Sequence, residues 1–166
     1  MKKLIAALLL AVMFTAMFVP ALADEPAYAT TRSFIATLEE NDLAYEFVGK
    51  EYDDDEHVKL ENEDENFAYT IHVYFNKDED AATVLIWNII KFNEVDYADV
   101  LRAVNNMNYS YKYTRFYIDE SDNTVTCAMN IILHDNDSAG DIVLEGLLRA
   151  ASILKNAYPQ MSSFDR

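Results

Sequence analysis

Glycine, proline and cysteine are all scarce in this chain: 3, 3 and 1 in 166 residues. A single cysteine, Cys127, excludes an intramolecular disulfide, and its apolar neighbours favour a buried small hydrophobe over a reactive thiol. With so little glycine there is neither a phosphate-cradling GxxxxGK[ST] loop nor a GxSxG nucleophile elbow. Basic residues are few as well, 13 against 29 acidic, for a formal charge of −16. Nucleic acid is a poor partner for such a chain, because binding it requires cations that neutralise phosphate. Calcium, cationic peptides and basic wall polymers remain compatible.

Long apolar runs are missing except at the start. There Lys2 and Lys3 precede an apolar stretch from Leu4 to Val19, followed by Pro20 and Ala21-Leu22-Ala23. That is the layout of a secretory signal peptide, residues 1–23, cut before Asp24. The stretch is 16 residues long, short of the roughly 20 that span a bilayer as a helix. Asp24, where a lipoprotein would have cysteine, predicts a product without a lipid anchor and without stable membrane insertion. Cleavage moves the charge to −18 and leaves one domain, residues 24–166, with an ordered core over about 30–158. The expected location is therefore the periplasm or the exterior.

Periodicity supplies the elements. Residues 30–43 place Phe34, Ile35 and Leu38 on one helical face between a Thr start and an Asn-Asp exit. AYEFVG and HVKLENEDEN read as one or two short strands around an acidic segment. FAYTIHVYFN alternates Phe67, Tyr69, Ile71, Val73 and Phe75 with a mixed set, as a half-buried strand does. TVLIWNIIKF is apolar nearly throughout and predicts a central strand with Trp87 in the core.

A helix over 93–106 follows, with Val95, Val100, Leu101 and Val104 inward and its end at an asparagine cluster, where asparagine tolerates left-handed backbone. YSYKYTRFYID and NTVTCAMNIIL then form a hairpin around Glu120 to Asn123. A last helix carries Ile142, Leu144, Leu147, Leu148, Ala151 and Leu154, with Asp141 as its cap. The predicted class is α+β: an antiparallel sheet of about five strands with helices on one face, in the order α-β-β-β-α-β-β-α.

Val104, Asn105, Asn108, Arg115, Phe116, Asp119, Asn123, Val125 and the apolar run to Leu133, set in this order of elements, resemble the YbjN-like family of bacterial sensory transduction regulators. The resemblance covers most of residues 30–157. It implies a fold similar to type III secretion chaperones and a non-enzymatic domain, often dimeric, that binds another protein; it brings no catalytic residue and no cofactor. Asp122-Asn123 stand where a turn glycine is often expected, and can take the same conformation.

Other chemistry is weakly signalled. Asp53 to His57 and Glu61 to Asn66 offer carboxylates for calcium, yet without a glycine-turned ligand loop they read as a solvated acidic hairpin. His57 has no second histidine at helical or hairpin spacing, which argues against a transition metal. Asp135 to Asp141 begins like a calcium loop, but Ala139 stands at its fifth position and Gly146 at its twelfth, where a bidentate Glu is needed. His72 and His134 are conceivable general bases for a hydrolase.

The tyrosines are more informative. With Phe116, Ile118, Val125, Cys127, Met129 and Ile131 facing the helices, parity puts Tyr111, Tyr113, Arg115, Tyr117 and Asn130 on the opposite face, joined by His72, Tyr74 and Asn88. Tyr and Arg are enriched at protein interfaces, and they equally stabilise a wet sheet by cross-strand contact. The reading is an exported binding module whose partner is a protein or peptide, or a second copy in a homodimer. A calcium- or wall-associated envelope protein using the acidic hairpin, and then a hydrolase, are the alternatives.

Overall fold

A computed structural model describes residues 25–63, 67–134 and 138–166. The expected signal peptide lies outside these residues, as do Asp64 to Asn66 and Asp135 to Asp137. Along the chain come α1 (Ala29–Glu40), β1 (Glu46–Lys50), β2 (Glu56–Glu63), β3 (Ala68–Phe75), β4 (Ala81–Lys91), α2 (Tyr97–Ser110), β5 (Arg115–Asp119), β6 (Thr124–Ile132) and α3 (Ala139–Ala157). The described strands form one antiparallel sheet in the order β1-β2-β3-β4-β6-β5. There are thus six strands where about five were expected, because both weak segments around the acidic run are strands.

Alternation builds the core. Val58 and Leu60 of β2, Ile71, Val73 and Phe75 of β3, Val84 and Ile86 of β4, and Val125, Cys127, Met129 and Ile131 of β6 are buried. Phe34 and Leu38 of α1, one turn apart, and Val143, Leu147, Ala150 and Leu154 of α3 close over them. The inward stripe of α3 includes Val143 and Ala150, while Ile142 is exposed. Helices α1 and α3 pack on each other so closely that a Cβ on Gly140 would stand 2.3 Å from the Ser33 carbonyl oxygen. No side chain fits there, and the Gly140 N–H instead donates to Ser33 Oγ at 3.0 Å.

Helix termini expose N–H groups that need acceptors. At α1 the acceptors are side chains: Thr30 N–H in the first turn donates to Glu79 at 3.0 Å. The N-cap Tyr28 N–H and the preceding Ala27 N–H donate to the two oxygens of Glu56, a sheet residue, at 3.1 and 2.6 Å. Glu56 is only 1% exposed, so the acidic segment is not a solvated hairpin throughout. Asp53 to Asp55 occupy the turn between β1 and β2, whereas Glu56 and His57 are buried strand residues.

The asparagine cluster does not end its helix. α2 runs on to Ser110, and Asn105, Asn106 and Asn108 lie inside it, none with positive φ. Asn108 is the informative one: its Nδ2 donates to the Phe116 carbonyl at 2.9 Å and its Oδ1 accepts from the Phe116 N–H at 2.7 Å. The amide thus imitates a neighbouring strand along the outer edge of β5, an edge that would otherwise offer unpaired backbone. Val100, Val104 and Met107 are the inward side of α2, while Val95 and Leu101, expected inside, are exposed. Ser138 rather than Asp141 precedes α3, leaving Asp141 in the first turn, where its charge suits the helix dipole.

Among the described residues, no helix is long and apolar enough to cross a membrane.

Candidate binding face

The sheet face opposite the core brings most of the expected residues together. Lys59↔His72 and His57↔Tyr74 are cross-strand partners between β2 and β3, His72↔Leu85 and Tyr74↔Thr83 between β3 and β4. Arg115 and Tyr117 project from β5 beside Ala128 and Thr126, and Asn130 is exposed opposite Thr83. Tyr111 is elsewhere: it caps α2 and packs its ring toward Phe116 at 6.3 Å. Tyr113 stands at the margin: it precedes β5, is 63% exposed, has Arg149 of α3 4.8 Å from its centroid, and lines a shallow depression with Arg115, Ala128 and Asn130. Both expectations assumed a strand from residue 109, whereas α2 runs to Ser110 and residues 111–114 connect it to β5.

Trp87, expected in the core, is on the outer face and 37% exposed. The cause is parity: Ala82, Val84 and Ile86 face the core, so Thr83, Leu85 and Trp87 face away from it. A bulge then follows, since β4 pairs Ile86 with Cys127 and Ile90 with Val125 and three residues oppose Thr126. Asn88 takes φ 53 within it, a left-handed conformation asparagine tolerates, and is exposed as Trp87 is. Parity counted back from Asn88 through the bulge therefore fails for Trp87, whose ring lies against His72 with centroids 4.2 Å apart.

His57 is the other addition. Its ring is 4% exposed, stacked on Tyr74 at 4.3 Å and 12°. His57 Nε2 is 3.0 Å from His72 Nδ1, so the second histidine that sequence spacing did not reveal is supplied by the strand register. On the other side His57 Nδ1 lies 2.9 Å from Glu51 Oε2, off the direction of a good hydrogen bond. The same Glu51 oxygen accepts from Tyr74 Oη at 3.2 Å. Burial holds His72 down at about 4, reinforced by His57 and Lys59, and lowers His57 against the opposing pull of Glu51. Both rings are neutral at pH 7, and burial also pushes the Tyr74 hydroxyl up.

The remaining candidates stand apart. Glu51, Asp53, Asp54, Asp55, Asn76, Lys77 and Asp78 line a shallow cleft, but among the described residues no three His, Cys, Asp or Glu groups are placed to hold a metal ion. Burial pushes the Cys127 thiol up to about 12, which removes it as a nucleophile. His134 is exposed beyond β6.

No curated protein matches this chain. Among solved structures it is similar to YbjN from E. coli, described as "a putative transcription regulator", with a TM-score of 0.51 and 11% identity over 79% of this chain and 93% of that one. That likeness is one of fold. Residues 34–158 match the family described as "YbjN: Putative bacterial sensory transduction regulator". The match spans the sheet, all but the first turn of α1, and the two remaining helices, and with it the chain is a member of the YbjN family.

Proposed function

We propose that this YbjN-family member is an exported, non-enzymatic binding module that takes a protein segment on its outer sheet face. The observation that carries the reading is the outward-facing Trp87, flanked by Leu85, with Arg115 and Tyr117 at the β5 end of the same face. A half-exposed tryptophan beside tyrosine and arginine is the composition of an interface anchor. Charge suggests the occupant: Glu46 and Glu61 border the β1-β2 side with one cation, Lys59, shared between them at 3.1 and 3.8 Å, and the whole chain is strongly acidic. A segment presenting an apolar side chain to Trp87 and basic groups toward those carboxylates fits best. Export rests on the Lys2-Lys3, apolar and Ala21 to Ala23 pattern. The family's description as a regulator supports a non-enzymatic role, as do a thiol held protonated and two imidazoles engaged with each other.

Site-specific photo-crosslinking tests this at neutral pH. A photoreactive phenylalanine replacing Tyr117 should give a discrete adduct in the cell envelope that Trp87→Ala abolishes; the same group replacing Tyr109, 92% exposed on α2, should not. Equal labelling from both positions would refute docking on this face, and an adduct with a second copy would assign the face to self-association.

A further inference from the structure

His57 and His72 face each other almost head-on. Their ring planes differ by 23° and their centroids are 5.1 Å apart, close to the 3.0 Å Nε2···Nδ1 distance plus the two ring radii. The nitrogens therefore point at one another, and a contact of that length has room for one proton shared as N–H···N. It has no room for two. Which nitrogen carries the shared proton follows from the surroundings: Glu51 beside His57 Nδ1 favours a proton there, so His57 Nε2 accepts from His72 Nδ1–H.

The charges around the pair are unequal. Glu51 and Tyr52 come from the β1-β2 turn, Glu46 from β1, Lys59 from β2, Tyr74 from β3, and β4 contributes the uncharged Leu85 and Trp87. A first added proton enters at the open His72 Nε2 while the shared proton passes to His57 Nε2, so the charge lodges on His57 against Glu51. A second would have to sit on His72, between the His57 cation and Lys59, its opposite number across the strands.

We infer that the His57–His72 contact is an acid-opened latch on the sheet face, in which protonation of both rings breaks the Nε2···Nδ1 bond, turns His72 Nδ1–H to water and reshapes the surface beside Trp87. Coupled sites of this kind titrate as a pair. The consequence for binding, which rests on the docking reading above, is that the partner is held near neutrality and released in acid.

Trp87 is the chain's single tryptophan and touches His72, so it reports the latch with no partner present. Emission of the purified protein should stay level from pH 8 to about 5 and change with a midpoint near 4, with far-ultraviolet dichroism constant across the step. His57→Asn should move the midpoint up, short of the ordinary histidine value because burial remains, and His72→Asn should abolish the step. Imidazole nuclear magnetic resonance shifts of the unmodified protein give a reading that needs no variant. At pH 5.5, where an ordinary histidine is about nine-tenths protonated, His72 should still be neutral. A step at the same pH in parent and His57→Asn, no step at all, or a charged His72 at pH 5.5 in the folded protein would each overturn the latch. None of these outcomes bears on the crosslinking result at neutral pH, so the latch and the docking face fail separately.

Discussion

Replacing Asn108 by alanine separates two accounts of the asparagine-rich end of α2. If Asn108 were an ordinary solvent-facing helix residue, alanine would stabilise the protein by roughly 0.6 kcal/mol through its better helix propensity. The observed geometry predicts the opposite sign. Two hydrogen bonds to the Phe116 backbone are lost, at 2.9 and 2.7 Å, both partly shielded from water. Each contributes about 1 kcal/mol net, so their loss less the propensity gain leaves the variant about 1.5 kcal/mol less stable.

Aspartate sharpens the test. It keeps the acceptor for the Phe116 N–H but turns a second oxygen toward the Phe116 carbonyl, where Nδ2 had donated. At neutral pH Asn108→Asp should therefore be no better than alanine. Relative to alanine it should recover as the pH falls through the carboxyl range, since the protonated acid can donate again. Urea unfolding followed by dichroism, with an unchanged slope on denaturant, measures both. An alanine variant as stable as its parent would refute the surrogate-strand role of Asn108.

Gly140→Ala should cost about 2 to 3 kcal/mol in the same assay, because the Ser33 carbonyl at 2.3 Å is backbone and cannot withdraw; a neutral result would mean that α1 and α3 can separate freely. Cys127 should be inert to an aromatic disulfide reagent at pH 8 while the protein is folded and react at once in denaturant, and rapid labelling of the folded protein would contradict its burial. Stability should fall as the pH drops from about 6.5 to about 4, because the unfolded chain takes up a proton on His72 at the ordinary value and the folded chain only near 4. Discounted for the half-exposed ring, that loss is about 1 to 2 kcal/mol, and His72→Asn should remove it, leaving only the smaller fall due to the lowered His57.

The elements were legible wherever hydrophobic period and burial coincide. Ile71, Val73 and Phe75 on β3, and Val125, Cys127, Met129 and Ile131 on β6, alternate in sequence and are buried as alternation requires. The turn at Asp122-Asn123 was legible too, with Asn123 at φ 58 doing what a glycine would do. Less legible were features set by partners distant in sequence. Glu56 looks like one acid among many until the start of α1, 28 residues earlier, is seen to donate to it. Nothing local distinguishes Asn108 from Asn105 or Asn106, since only the position of β5 selects it.

The candidate face shows the same division more sharply. Arg115 and Tyr117 followed from parity because β5 and β6 pair without interruption from Arg115↔Ala128 to Asp119↔Thr124. Trp87 did not, because parity counted from Asn88 starts inside the bulge opposite Thr126, whereas the alternation of Val84 and Ile86 puts Trp87 outward. The signal of the bulge was Asn88 itself, a polar residue disfavoured in strands that interrupts an otherwise apolar run and sits at φ 53. The bulge leaves Ile86, Ile89 and Ile90 in the core, while ordinary alternation turns Trp87 outward beside His72. Strand alternation therefore places the sheet's largest exposed apolar side chain next to the pair whose protonation can move it, joining the docking surface to its acid sensitivity.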